Sequence, residues 1–182
     1  MRASSERLTA ASALEERVMK VSELLQKNVH TTRPEALLKE AAEEMFARDV
    51  GALPVVDERN RLVGMITDRD ICMCALIEGR PLTELPVSLA MSTPVFTCKP
   101  EDTIADVHAT MQTHQLHRVP VADADGVLVG IVGWSDLVRA TAAKKRGATP
   151  TDLLRTLTLV TEPHELAEIE VTAQPARARQ PS

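Results

Sequence analysis

Slid against itself by 66 residues, the chain aligns Val21–Asp70 with Val87–Asp136 without a gap, and 14 of these 50 positions are identical. An ungapped match of this length restricts the fold to two copies of one supersecondary unit packed together. The identities include Pro34/Pro100, Met45/Met111, Pro54/Pro120, Val55/Val121, Asp57/Asp123, Gly64/Gly130 and Asp70/Asp136. Elsewhere like replaces like, as at Leu38/Ile104, Ile66/Val132 and Ile71/Leu137.

Within each copy the hydrophobic period changes in the same order. A short β segment comes first, Val29–Thr32 in one copy and Val95–Cys98 in the other. Apolar residues at helical spacing follow: Leu38, Ala41, Ala42, Met45 and Phe46, matched by Ile104, Val107, His108 and Met111. Leu53–Val56 and Leu62–Ile66, split by Asp57-Glu58-Arg59-Asn60, predict a β-hairpin, as do Val119–Ala122 and Val127–Val132 around Asp123-Ala124-Asp125-Gly126. A second helix is expected from Asp68 to about Glu78, and from Ser135 to about Ala143. The order β-α-β-β-α, twice, predicts an α/β fold of two small sheets with helices outside.

Residues 1–17 carry Leu8, Ala11 and Leu14 on one face, continued by Val18, and predict a leading helix. The repeats themselves span 18–80 and 86–142, joined through Gly79–Pro86. In the tail, 143–182, Thr151-Asp152-Leu153-Leu154 can open a short helix, and the Pro/Ala/Arg-rich end from Ala173 reads as disordered.

Charge and composition narrow the function. Net charge is −5, so no global positive field favours a nucleic acid backbone, and Phe46, Phe96 and Trp134 are the only aromatics other than histidine. No apolar run reaches the roughly 20 residues of a membrane span, and the charged start does not resemble a signal peptide, so a cytoplasmic protein is expected. Cys72 and Cys74 point roughly 200° apart on a helix and make a poor metal pair. No zinc spacing, nucleophile elbow or lysine-bearing phosphate loop is present, and neither a metal, a cofactor nor catalysis is expected. His30 and His164 have no clustered partners in sequence, and His108 reads as a packed or interface histidine.

Gly64-Met65-Ile66-Thr67-Asp68-Arg69-Asp70, ten residues after Pro54, and Gly130-Ile131-Val132-Gly133-Trp134-Ser135-Asp136, ten after Pro120, resemble the cystathionine-β-synthase (CBS) domain pair. The resemblance covers about residues 18–142. It implies two repeats packed about a pseudo-twofold axis, a homodimer, and clefts between the repeats that bind adenosine-containing ligands such as AMP, ADP, ATP or S-adenosylmethionine.

Carried over residue by residue, the resemblance makes Asp70 a ribose diol acceptor, with Thr67 one turn earlier and Val95, Thr97, His117, Arg118 and Pro120 completing the cleft. Thr67-x-x-Asp70 also reads as a capping box, and the two roles can coexist. The second cleft, Asp136 with Thr31, Gly51 and Ala52, is expected to be weaker because Gly133 replaces the threonine. The function implied is a stand-alone regulatory module that signals to a protein partner; the alternative is a ligand-free dimerisation scaffold.

Overall fold

The computed structural model describes residues 19–145 and 147–162. The expected leading helix and the end of the tail, His164 included, lie outside the described residues. The elements run α1 (Leu38–Arg48), β1 (Ala52–Val56), β2 (Leu62–Thr67), α2 (Asp68–Glu78), α3 (Ile104–His114), β3 (Arg118–Ala122), β4 (Leu128–Gly133), α4 (Trp134–Ala142) and α5 (Pro150–Val160). The fold is α/β, with one antiparallel hairpin and two flanking helices in each repeat. No described helix is long and apolar enough to cross a membrane.

Both hairpins share one register: Ala52 faces Thr67 and Val55 faces Gly64, while Arg118 faces Gly133 and Val121 faces Gly130. The expected leading strands shrink to single parallel bridges, Thr32 with Val55 and Cys98 with Val121. Proline explains the shortening. Thr32 donates to the Pro54 carbonyl and accepts from Val56, but Pro54 and Pro34 lack the N–H groups that would extend the ladder in either direction. Pro120 and Pro100 block the second copy at the same two points.

The repeats exchange their leading segments. Met19 and Val21 are buried with Ile104, Val107, Met111, Val119, Val132 and Leu137 in the core of the second repeat. Leu85 and Val87 fill the matching place with Leu38, Met45, Leu53, Ile66 and Ile71 in the first. Gln26 accordingly bridges to Ile131, and Ser92 to Met65, each across the boundary between repeats. The crossing is tight at Gly130, where a Cβ would lie 2.4 Å from Leu25 Cδ1 and 2.8 Å from the Gln26 carbonyl oxygen. The hairpin turns also meet: Leu62 N–H donates to Gly126 O at 2.9 Å and Leu128 N–H to Asn60 O at 3.0 Å. Cross-repeat pairs at corresponding positions are what a pseudo-twofold arrangement produces.

One element has no counterpart. α5 lies on α3 and α4, with Thr156 and Val160 buried, whereas the same face of the first repeat has no helix upon it among the described residues.

Candidate functional site

Each second helix starts where the hairpin delivers its last strand, so the first-turn aspartate is fixed beside the boundary between repeats. In the first repeat Thr67 caps α2: its Oγ1 accepts from Asp70 N–H at 3.1 Å, and Asp70 Oδ2 accepts from Thr67 N–H at 2.9 Å and from Thr67 Oγ1–H at 2.7 Å. The capping box read from the sequence is formed, and no described hydrogen bond engages Asp70 Oδ1.

In the second repeat Asp136 Oδ2 accepts from Gly133 N–H at 2.7 Å. Its other oxygen accepts from Gln26 Nε2–H at 2.9 Å and pairs with the Arg139 guanidinium. This carboxylate is 4% exposed and has donors at both oxygens. Gln26 reaches it because its backbone is already paired with Ile131.

A cavity of about 310 Å³ opens at this second aspartate. Val29, His30, Val50, Gly51 and Ala52 of the first repeat form one wall, and Ile131, Gly133, Trp134, Ser135 and Asp136 of the second form the other. His117 and Arg118 line it as well. It thus combines an apolar slot, a half-exposed indole and cationic or potentially cationic groups at Arg118, His117 and His30. Arg118 makes no ion pair among the described residues.

The grouping differs from the one expected. Sequence reasoning put His117 and Arg118 with Thr67 and Asp70; the structure sets them on the wall of the Asp136 cavity, with Gly51 and Ala52. Hairpin register is the reason, since Arg118 lies opposite Gly133 on the neighbouring strand, three residues before Asp136. His117 O also accepts from Trp134 N–H at 3.0 Å, holding the same corner. Thr67, Asp70, Val95, Thr97, Pro120 and Thr31 are not on this wall. Pro120 is buried in β3, where its carbonyl accepts from Cys98 N–H at 3.2 Å.

Sequence reasoning passed over Gln26, Asn28, His30, Trp134 and Ser135 on the cavity wall. His30 is the instructive case: its Nδ1 lies 2.9 Å from Glu44 Oε1, a partner 14 positions away on α1. At the corresponding place in the second repeat Phe96 stacks on His114, with ring centroids 3.4 Å apart. Aligning the repeats pairs His30 with Phe96, so the divergence was readable, though its role was not. Among the described residues no cluster of three or more His, Cys, Asp or Glu could hold a metal ion.

Behind His117 the second repeat is closed by α5. His117 Nε2–H donates to Val160 O at 3.0 Å, and Gln115 Nε2–H to Leu159 O at 3.4 Å. Further along, Thr156 Oγ1 lies 2.6 Å from His108 Nδ1 and accepts from Gln112 Nε2–H at 2.8 Å. Burial pushes the His108 imidazole below its ordinary pKa, partly offset by the Asp152 carboxylate.

Comparison with known proteins bears on both halves of the chain. The CBS domain matches twice, over residues 21–76 and 84–143. The CBS domain-containing protein YhcV of Bacillus subtilis is 39% identical over 117 residues, 64% of this chain and 81% of that protein. Among solved structures, CBSX2 in complex with AMP superposes with a TM-score of 0.62 at 27% identity, covering 70% of this chain and 98% of the other. The CBS domain pair of protein MJ0100, in complex with 5'-methylthioadenosine and S-adenosyl-L-methionine, gives 0.62 at 30% identity, covering 70% and 99%.

Proposed function

The chain belongs to the CBS domain family, and on that premise we propose that it is a regulatory binding module that takes an adenosine-containing ligand in the cavity at Asp136. The observation that carries this reading is the cavity itself. Its volume of about 310 Å³ reaches the lower end of the range of small-ligand pockets, roughly 300–1,000 Å³. Similar proteins hold AMP, or methylthioadenosine and S-adenosylmethionine, in structures of the same fold.

Each part of such a ligand has a partner in the wall. Val29, Val50 and Ile131, with the Trp134 ring, offer apolar surface to an adenine. Asp136 accepts a ribose hydroxyl in place of the Gln26 amide, so binding exchanges one hydrogen bond for another. Arg118 and His117 supply charge-assisted donors to a phosphate or carboxylate. Residues from both repeats touch the ligand, which favours the arrangement of repeats that closes on it by the ligand's differential affinity for the two states. A protein partner that reads this arrangement completes the regulation.

Self-association belongs to the same reading. Phe46 is 91% exposed, and Leu76 and Ile77 are 66% and 67% exposed, all on the helices of the first repeat. A homodimer through the first repeat buries them; sedimentation at tens of micromolar should give a dimer in the wild type and a monomer in Phe46→Arg.

One observation favours the scaffold reading instead: Asp136 is already fully paired without a ligand. A thermal-shift panel of AMP, ADP, ATP, S-adenosylmethionine and adenosine separates the two, because a ligand that binds only the native state raises the Tm. The module reading requires a rise with at least one of them; no rise at millimolar concentration favours the scaffold.

A further inference from the structure

The second repeat carries a polar set that its partner lacks. His108, Gln112, Gln115 and His117 all bond α5, and their counterparts in the first repeat are Ala42, Phe46, Asp49 and Gly51. The side-chain hydrogen bonds of these four residues converge on one helix. Two of them cap its last turn. The final carbonyls of a helix lack intrahelical partners and carry the negative end of its dipole. Gln115 and His117 donate to two of them, Leu159 O and Val160 O.

His117 is also part of the cavity wall, next in sequence to Arg118. One residue therefore belongs both to the hold on the helix end and to the wall of the proposed ligand space. With Nε2–H committed to Val160 O, Nδ1 is left without a partner among the described residues. An anion in the cavity and the negative end of the α5 dipole are then both drawn to this one residue.

We infer that α5 is a ligand-responsive strap: an anionic group in the cavity and α5 on the second repeat each tighten the hold of the other through His117. The inference rests on the proposed ligand site and adds its direction of control. Coupling of this kind is reciprocal, so loosening α5 weakens the binding of an anionic ligand even when the loosening is made far from the cavity. Thr156 offers that control. It is fully buried on the inner face of α5 and is absent from the cavity wall.

Hydrogen exchange of the α5 amides in the full chain, with AMP, adenosine or inorganic pyrophosphate and with calorimetry in parallel, tests the strap. AMP and pyrophosphate should slow α5 exchange roughly fivefold or more, and adenosine should not. In His117→Gln, which keeps an N–H for Val160 but loses the second ring nitrogen, AMP should leave α5 exchange unchanged. Thr156→Val should weaken AMP severalfold while leaving adenosine affinity as it was. AMP binding with α5 exchange unmoved overturns the strap and leaves the module reading intact. Slowing of α5 by pyrophosphate but not in His117→Gln, with no nucleoside bound, supports the strap and overturns the adenosine reading. No binding of any of the three, and no change at α5, overturns both.

Discussion

The two repeats share their cores and differ in what lies upon their helices. In the first, α1 and α2 flank a groove of about 430 Å³ lined by Ala42, Met45, Phe46, Val50 and Ile71. In the second, the corresponding residues His108, Met111, Gln112, Leu116 and Leu137 lie on the face covered by α5. The second helices diverge in step: Met73, Leu76 and Ile77 are exposed on α2 where the second repeat has Arg139, Ala142 and Ala143. Duplication gave two equivalent faces. One carries polar donors that fix a helix of the same chain, and the other carries exposed apolar side chains. The clefts diverge likewise: the threonine cap sits at Asp70, while the cavity and the cationic groups sit at Asp136.

Several substitutions should break or sharpen this contrast. The largest effect is expected where the repeats cross. Gly130→Ala drives a Cβ against the Gln26 backbone and should cost about 3 kcal/mol in denaturant unfolding. Gly64→Ala meets only the flexible Met91 side chain and should cost about 1 kcal/mol. Equal losses would mean that the two crossings are equally yielding.

Next comes the α5 clamp. Thr156→Ala leaves the buried His108 Nδ1 and Gln112 Nε2 without their shared partner and should cost about 2 kcal/mol. Phe46→Ala, in the open groove of the first repeat, should cost the isolated chain well under 1 kcal/mol, since its ring is exposed already.

The pH dependence contributed by His108 should be smaller, and it belongs to the second repeat. His108 has a lowered pKa in the folded protein, by burial first and against the opposing pull of Asp152. The unfolded chain therefore takes up this proton before the folded one does. The associated stability is complete above the unfolded value of 6.5. It is lost as pH falls from there through the lowered folded value, with a limiting slope of about 1.4 kcal/mol per pH unit. His108→Gln should flatten that part of a stability-against-pH curve. A curve unchanged by the substitution would assign the slope to other groups.

The smallest effect is at Gly133. Its backbone is extended, and a Cβ would lie 3.6 Å from Asp136 Oδ2, an ordinary contact. Gly133→Thr should restore the cap seen at Thr67 and gain a few tenths of a kcal/mol in Tm-based stability. A loss would show that the cavity wall does not accept the side chain.

Much of this was legible in the sequence because the repeat read each element twice. The hairpins and both helices of each repeat follow from period and spacing that two copies agree on, and the Thr67/Asp70 cap from its own Thr-x-x-Asp spacing. The leading strands misled, since Val29–Thr32 and Val95–Cys98 have strand composition and only the placement of four prolines shows that their ladders stop at one bridge. The cleft grouping was out of reach for another reason. Which residues face Asp136 depends on the Arg118–Gly133 register and on the exchanged leading segment that brings in Gln26. Neither has a local signal. α5 lay beyond the repeat, so no second copy existed to announce what it covers.

Calorimetric titration of AMP into the wild type, Asp136→Asn and Asp70→Asn tests the ligand site most directly. One site per chain is predicted, weakened about tenfold or more by Asp136→Asn through loss of a charged acceptor and nearly unaffected by Asp70→Asn. Two equal sites, or a loss confined to Asp70→Asn, would contradict the assignment of the ligand to the Asp136 cavity.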